Sequence, residues 1–238
     1  DTRDPGKVGS NNWIVAGSRS TSGHALLAND PHLSLMSPSN FHLAHLITPE
    51  LDVAGIAFPG VPAIVIGHNG ALAWGATVAG YDVTDVYNEV LQNGQVKVKG
   101  EWKELVQVHE RYKVRSGGAL AERTVSIPMV PGHGPIIQGS MTSTSALSVK
   151  WNGHQRTYEV RAFMNLMKAR NVDEGVAAVK HEFRVVAQNF IFADSSGRIG
   201  YISPADVPIR AGGDKTLLAQ WPPWMPMPGD TGDYEWTG

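Results

Sequence analysis

Cysteine is absent from all 238 residues. That excludes disulfides, thiolate zinc sites and a cysteine nucleophile, but it leaves the compartment open, because an exported protein need not carry disulfides. No stretch reaches the roughly 18 consecutive apolar residues that span a bilayer, so no membrane insertion is expected. The opening Asp1-Thr2-Arg3-Asp4-Pro5-Gly6-Lys7 lacks the apolar core of a signal peptide. Charge of one sign is lacking as well. With 20 Lys and Arg against 22 Asp and Glu, the formal net charge of −2 provides no broad field for nucleic acid or an anionic membrane. Neither is expected as a partner, and small molecules remain.

What is present suits a globular protein with a substantial core: 42% of residues are hydrophobic and 18% charged. Short runs of Val, Ile, Thr and aromatics between many of the 26 Gly and 15 Pro favour strands over helices. Residues 1–9 are polar around Pro5-Gly6 and read as a linker, of the exposed kind where cleavage is tolerated. Trp13–Gly17 and Ala25–Asn29 read as a hairpin. In Phe41–Leu46 the alternation puts Phe41, Leu43 and His45 on one face and sends His42 and His45 to opposite faces, which argues against a zinc site there. Val53–Ala57, Ala63–Ile66 and Ala71–Trp74 are continuous apolar runs, as in strands covered on both sides. Val83–Leu91 and Val106–Val114 continue the strands, Asn93-Gly94 marks a tight hairpin turn, and Thr124–Met129 is strand-like. Tyr158–Met167 and Asp173–Glu182 have helical spacing, with Asn171 or Asp173 as a cap for the second. Gln188–Ala193 and Arg198–Ser203 read as a hairpin, and Pro204–Gly238 as an extended, Pro-rich wrap without a helix. The pattern defines an α+β protein.

Gly9-Ser10-Asn11-Asn12-Trp13 carries the chemical interest. As it stands, Ser10 is a turn residue ahead of a strand. Cutting the Gly9–Ser10 bond would give it an α-amine of pKa about 8 beside its hydroxyl, so that one residue supplies both base and nucleophile. Both readings stand on these residues alone.

The ordered set of motifs decides between them. The Gly9–Trp13 stretch is followed by Leu27-Ala28-Asn29-Asp30-Pro31-His32-Leu33, Pro59-Gly60-Val61-Pro62, Gly67-His68-Asn69-Gly70, Ala73-Trp74-Gly75-Ala76-Thr77, Asp82-Val83-Thr84-Asp85, Gly132-His133-Gly134-Pro135-Ile136 and Pro226-Met227-Pro228-Gly229. In that order they resemble the start of the β-chain in the penicillin acylase family of N-terminal-nucleophile hydrolases, whose precursors cut themselves. The resemblance implies an αββα sandwich of two mainly antiparallel sheets with outer helices over 10–238, incomplete in this sequence, and an amidohydrolase acting on an acylated amine. It implies cleavage between Gly9 and Ser10, Ser10 as nucleophile, and His32 positioning the terminal amine or hydroxyl, although His32 alone also reads as a satisfied, half-buried side chain. It further implies the Val78 N–H as oxyanion donor and Leu33, Ile66 and Ala76 as pocket lining.

For the two acids of Asp82-Val83-Thr84-Asp85, carboxylate and carbonyl oxygens are what Ca²⁺ prefers, while acids on a loop are commonly just solvated. The resemblance implies a structural calcium held by Asp82, the Thr84 carbonyl, Asp85 and the Pro223 carbonyl. The family's second oxyanion donor, an asparagine, falls beyond the segment matching Tyr234–Gly238, so the resemblance implies one part of a longer enzyme. It also implies an α-chain partner from the same precursor and a periplasmic or secreted location. Within the superfamily an N-acyl homoserine lactone acylase is the alternative. From another class, a non-catalytic calcium-dependent β-rich binding module would use Ser10 as a turn only.

Overall fold

The computed structural model describes residues 9–237; the linker expected over 1–9 therefore lies outside it except for Gly9. The chain begins with strands β1 (Gly9–Val15), β2 (Leu26–His32), β3 (His42–Ile47), β4 (Asp52–Ala57), β5 (Ile66–His68) and β6 (Leu72–Val78). Next come β7 (Thr84–Gln92), β8 (Gln95–Val98), β9 (Glu101–Glu104), β10 (Val106–Ser116), β11 (Ala119–Val130), β12 (Gly134–Pro135) and β13 (Ser145–Trp151). Helices α1 (Glu159–Leu166) and α2 (Val172–Lys180), strands β14 (Gln188–Asp194) and β15 (Ile199–Ile202), helix α3 (Lys215–Gln220) and strand β16 (Met227–Pro228) complete the chain. No helix of the described residues is long and apolar enough to cross a membrane.

Two compact units are formed. The first comprises the described residues up to Tyr81 together with Arg156–Asp206, and the second comprises Asp82–Gln155 with the described residues from Val207 onward.

In the first unit an antiparallel sheet runs β15-β14-β6-β5-β4-β3, beside the antiparallel hairpin β1-β2. Its central strands bury both faces, as their unbroken apolar runs require. Leu72, Trp74, Ala76, Phe190 and Phe192 pack with Ala162 and Leu166 of α1 and Val172 and Val179 of α2. Pleating turns Thr77 and Asn189 to the opposite face, where the Asn12 amide of β1 reaches the Thr77 hydroxyl (3.5 Å) and the Asn189 carbonyl (3.4 Å). The order is therefore hairpin, sheet, helices.

α2 starts where the Asn171 side chain accepts from the Glu174 N–H (2.9 Å) and Glu174 accepts in return from the Arg170 N–H (2.8 Å), a reciprocal cap. α1 has no side-chain cap of its own. Glu159 in its first turn instead accepts from the backbone N–H groups of Arg184 (3.0 Å) and Val185 (2.9 Å), fixing the segment that precedes β14.

Asn69, in the turn between β5 and β6, ties the sheet to the end of α1. Its buried amide donates to the carbonyls of Met167 (3.0 Å) and Ala169 (2.7 Å), and its oxygen accepts from the N–H groups of Ala71 (3.1 Å) and Leu72 (2.9 Å). Asn69→Ala strands backbone groups at both ends, so a loss of roughly 3 kcal/mol is expected in denaturant unfolding. A loss below about 1 kcal/mol would show that water replaces the side chain.

The second unit holds an antiparallel sheet ordered β13-β7-β8-β9, with β16 parallel to β7, and a separate sheet β10-β11-β12. The long hairpin of β10 and β11 turns at Gly117-Gly118, both with positive φ (56° and 87°). One expectation fails here. The Pro-rich tail contains α3, because Asp214 accepts from the N–H groups of Thr216 (2.7 Å) and Leu217 (3.3 Å) and starts a turn before the prolines stop it.

Candidate active site

β1 begins at Gly9, one residue before Ser10, so the serine sits at the head of a strand whose partner is known residue by residue: Gly9 faces His32 and Ser10 faces Pro31. The Ser10 hydroxyl donates to the Gly9 carbonyl at 2.7 Å. Hydroxyl and preceding carbonyl are thus already together.

Ser10 opens on a cavity of about 230 Å³. Leu33, Ile66, Ala76 and Val78 line it with Ser10, so five of the residues singled out from the sequence share one concavity. The walls that sequence reading missed are Phe41, Phe58, Phe163, Phe183 and Val186. Phe163 and Phe183 meet edge to face with ring centres 5.5 Å apart, and Phe41 and Phe58 lie 4.7 Å apart. Helical spacing over Tyr158–Met167 does not single out Phe163, and nothing in the local sequence joins it to residues so far upstream.

Among the described residues, the one charged residue of the lining is Glu159. Burial alone would raise its pKa, but hydrogen bonds from Thr157 and from the Arg184 and Val185 amides outweigh that and hold it below the usual carboxylate value. The cavity therefore carries a fixed negative charge at one wall.

The direction of the Val78 amide follows from the sheet. Ala79 N–H donates to the Ala187 carbonyl next to β14 (3.0 Å), and N–H groups alternate along a strand, so Val78 N–H leaves β6 by its other edge. Along that edge β5 pairs only with Ala73 and Trp74. Past Trp74 the edge is open, and Asn29 from β2 fills its first gap, accepting from Ala76 N–H (2.8 Å) while donating to the Asn11 carbonyl (2.9 Å). Gly75 permits this approach, since a Cβ there would lie 3.0 Å from the Asn29 side chain. Asn29 thereby fixes the hairpin carrying Ser10 against the strand carrying Val78. The motif around Pro31-His32 contained it, but only the fold shows its use.

His32 lies outside the cavity lining. Its Nε2 pairs with Asp30 Oδ2 (2.7 Å), and its Nδ1 lies 3.9 Å from where a Cβ on Gly9 would stand. It is next to the peptide preceding Ser10, held by a carboxylate.

The residues implied for calcium are arranged differently. Asp85 is buried, and Arg210 Nε donates to both of its oxygens (3.0 and 2.8 Å) while Trp236 Nε1 donates to Oδ2 (2.5 Å). Arg210 also reaches the Asp82 carbonyl (2.9 Å) and its Oδ1 (3.2 Å). Thr84 opens β7, opposite Trp151, and Pro223 lies in the turn closed by Met225 N–H on the Pro222 carbonyl. Among the described residues no group of three or more His, Cys, Asp or Glu side chains is placed to hold a metal. A guanidinium and an indole offer donors only, so the arrangement fits an internal cation and not the oxygen cage that Ca²⁺ takes.

These antiparallel sheets with few helices are similar in fold to a solved penicillin G acylase, which places the chain in the fold class of the N-terminal-nucleophile hydrolases. The penicillin amidase family profile matches residues 2–238, and the chain belongs to that family. It is 30% identical over 241 residues to "Penicillin acylase 2 proenzyme" of Pseudomonas sp. (strain SE83), covering 100% of this chain and 30% of that protein. With an "Acyl-homoserine lactone acylase QuiP" of Pseudomonas aeruginosa it shares 28% over 249 residues, covering 98% of this chain and 28% of the relative. A thermostable penicillin G acylase from Alcaligenes faecalis superposes with a TM-score of 0.76 at 30% identity, over 95% of this chain and 39% of that one. The chain spans less than a third of the length of the curated relatives it matches.

Proposed function

We propose that the full-length protein is an amidohydrolase that releases an acyl group from an amide through an ester on Ser10. The observation that carries this is the joint placement of Ser10 and Val78 on one apolar cavity. In the precursor, Ser10 Oγ attacks the Gly9 carbonyl carbon, the Ser10 nitrogen leaves, and water hydrolyses the resulting ester to a Gly9 carboxylate and a free α-amine. In turnover the same oxygen attacks the substrate carbonyl, and its proton passes through a water to the α-amine. The Val78 N–H stabilises the oxyanion. The departing amine takes the proton back, and a second water frees the acid. His32, with Asp30 behind it, holds the terminal residue in place. This segment acts with an α-chain from the same precursor, as the word proenzyme in one relative's name supports. The mature heterodimer works outside the cytoplasm, in the periplasm or secreted.

The cavity is smaller than the ~300–1,000 Å³ that holds a whole drug-sized ligand, so it takes the acyl part alone. Aromatic walls suit a ring or a short chain, and the Glu159 carboxylate disfavours an acyl group ending in a second acid. Assayed on a panel, the processed full-length enzyme is expected to hydrolyse phenylacetyl and hexanoyl amides at least about 10-fold faster, in kcat/KM, than glutaryl amides, the equivalent of about 1.4 kcal/mol. Faster glutaryl turnover would overturn the neutral-acyl reading. Preference for long-chain N-acyl homoserine lactones would assign the lactone acylase alternative, and no hydrolysis with an intact Gly9–Ser10 bond would leave a binding module.

A further inference from the structure

We propose that Arg210 takes the place of a metal in the second unit, its guanidinium supplying internally the positive charge that the acids Asp82 and Asp85 require. Asp85 is the anchor. It is almost fully buried at the start of β7, and a carboxylate there must be neutralised and hydrogen-bonded to persist. Arg210, itself 9% exposed, sets its Nε against both Asp85 oxygens while its terminal nitrogen reaches across to Asp82. The Trp236 indole adds a second donor to Asp85, and with it a third hydrogen bond.

The backbone holds this cation in place. Arg210 bridges to Trp236, Ala211 N–H donates to the Glu235 carbonyl (3.0 Å), and Thr237 N–H donates to the Ile209 carbonyl (2.9 Å). A guanidinium has five donors and no acceptor, so it satisfies carboxylate lone pairs while offering a metal nothing. Ca²⁺ needs six to eight oxygens at about 2.3–2.6 Å and would have to share Asp85 with a fixed positive charge. The two cations compete for one carboxylate, and the tethered one is always present.

The argument does not depend on the catalytic proposal, because its readouts are metal content and melting temperature of the full-length protein. Wild type, dialysed against chelator, is expected to retain no stoichiometric calcium at Asp85 and to melt at the same temperature in EDTA and in millimolar CaCl₂. Asp85→Asn is the control. A calcium-dependent rise in melting temperature that Asp85→Asn abolishes would overturn the proposal, whereas one that persists in Asp85→Asn arises elsewhere and leaves Arg210 as this site's cation. Arg210→Ala opens the carboxylates and is expected to melt several degrees lower, with part of the loss restored by millimolar Ca²⁺ but not by Na⁺ at equal ionic strength. Should Arg210→Ala fail to fold, Arg210→Lys provides the same comparison, with a weaker cation that leaves Asp85 only partly engaged. Restoration by both salts alike, or a variant as stable as wild type without calcium, would show that Arg210 does not carry the charge.

Discussion

Ser10→Ala is expected to leave the precursor uncut at residue 10 and to lower amide hydrolysis by about 10⁴-fold or more, the scale on which losing a covalent nucleophile acts. Two steps fail together, because the same oxygen that lies 2.7 Å from the Gly9 carbonyl oxygen is the one proposed to attack substrate. Intact-mass measurement separates them: wild type gives a fragment beginning at Ser10, and the alanine variant gives none. Ser10→Cys keeps a nucleophile at the same strand position and is expected to cut, slowly, while remaining a poor amidase. Since the variant removes one oxygen from a half-exposed strand end, its melting temperature is expected to stay within a few degrees of wild type. A Ser10→Ala protein that still acquires a new N-terminus at residue 10 would sink the proposal, because some other group would then be cutting the chain.

How far the sequence revealed this site depends on the range over which each interaction acts. α1 and α2 were legible to within two residues, because a helix advertises itself in i, i+3 and i+4 spacing. The Asn93-Gly94 turn and the β14-β15 hairpin were equally local. β1 was misjudged at its start. An apolar reading began it at Trp13, whereas the ladder runs from Gly9, and the polar Asn12 is half buried because Thr77 and Asn189 lie across from it. Ala63–Ile66 looked like a strand, yet pairing begins only at Ile66, the preceding residues being packed under Trp74, whose indole donates to the Val65 carbonyl (3.1 Å). The family motifs supplied Ser10, Leu33, Ile66, Ala76 and Val78. Nothing local could supply Asn29 as the brace on β6, Glu159 as the cavity's charge, or Arg210 against Asp85, since their partners are remote in sequence and are selected only when the sheets form.

The buried ion network of the second unit is another such case, and it predicts the largest loss of stability. His133 is 1% exposed and stacks on Tyr87 with ring centres 4.0 Å apart. Its Nδ1 pairs with Glu89 (2.7 Å) and its Nε2 with Glu235 (2.6 Å), while Ser148 donates to Glu89 (2.5 Å) and Lys150 to Glu235 (3.0 Å). Burial alone would lower the His133 pKa, but the two carboxylates outweigh it and hold the ring protonated above its ordinary 6.5. Burial would raise Glu235, yet His133 and Lys150 bring it down to about 2. Glu89 depends most on the imidazolium, because its second oxygen has no hydrogen-bond partner among the described residues and Gly229 is packed so close that a Cβ there would lie 2.3 Å away. Removing the ring leaves a buried carboxylate uncompensated, so His133→Ala is expected to lose about 3–5 kcal/mol at pH 5.5. The pH profile carries the signature. The folded state keeps a His133 proton that the unfolded chain releases, so this contribution is complete below about 6.5 and fades as pH rises through the raised value; that of Glu235 is complete above 4.5 and fades as pH falls towards about 2. Thermal unfolding of wild type should therefore peak between about pH 4.5 and 6.5 and decline on the alkaline side, where the difference from His133→Ala narrows. Two unfolding curves that stay parallel from pH 5 to pH 9 would mean that the ring serves by packing on Tyr87 and that its charge contributes nothing.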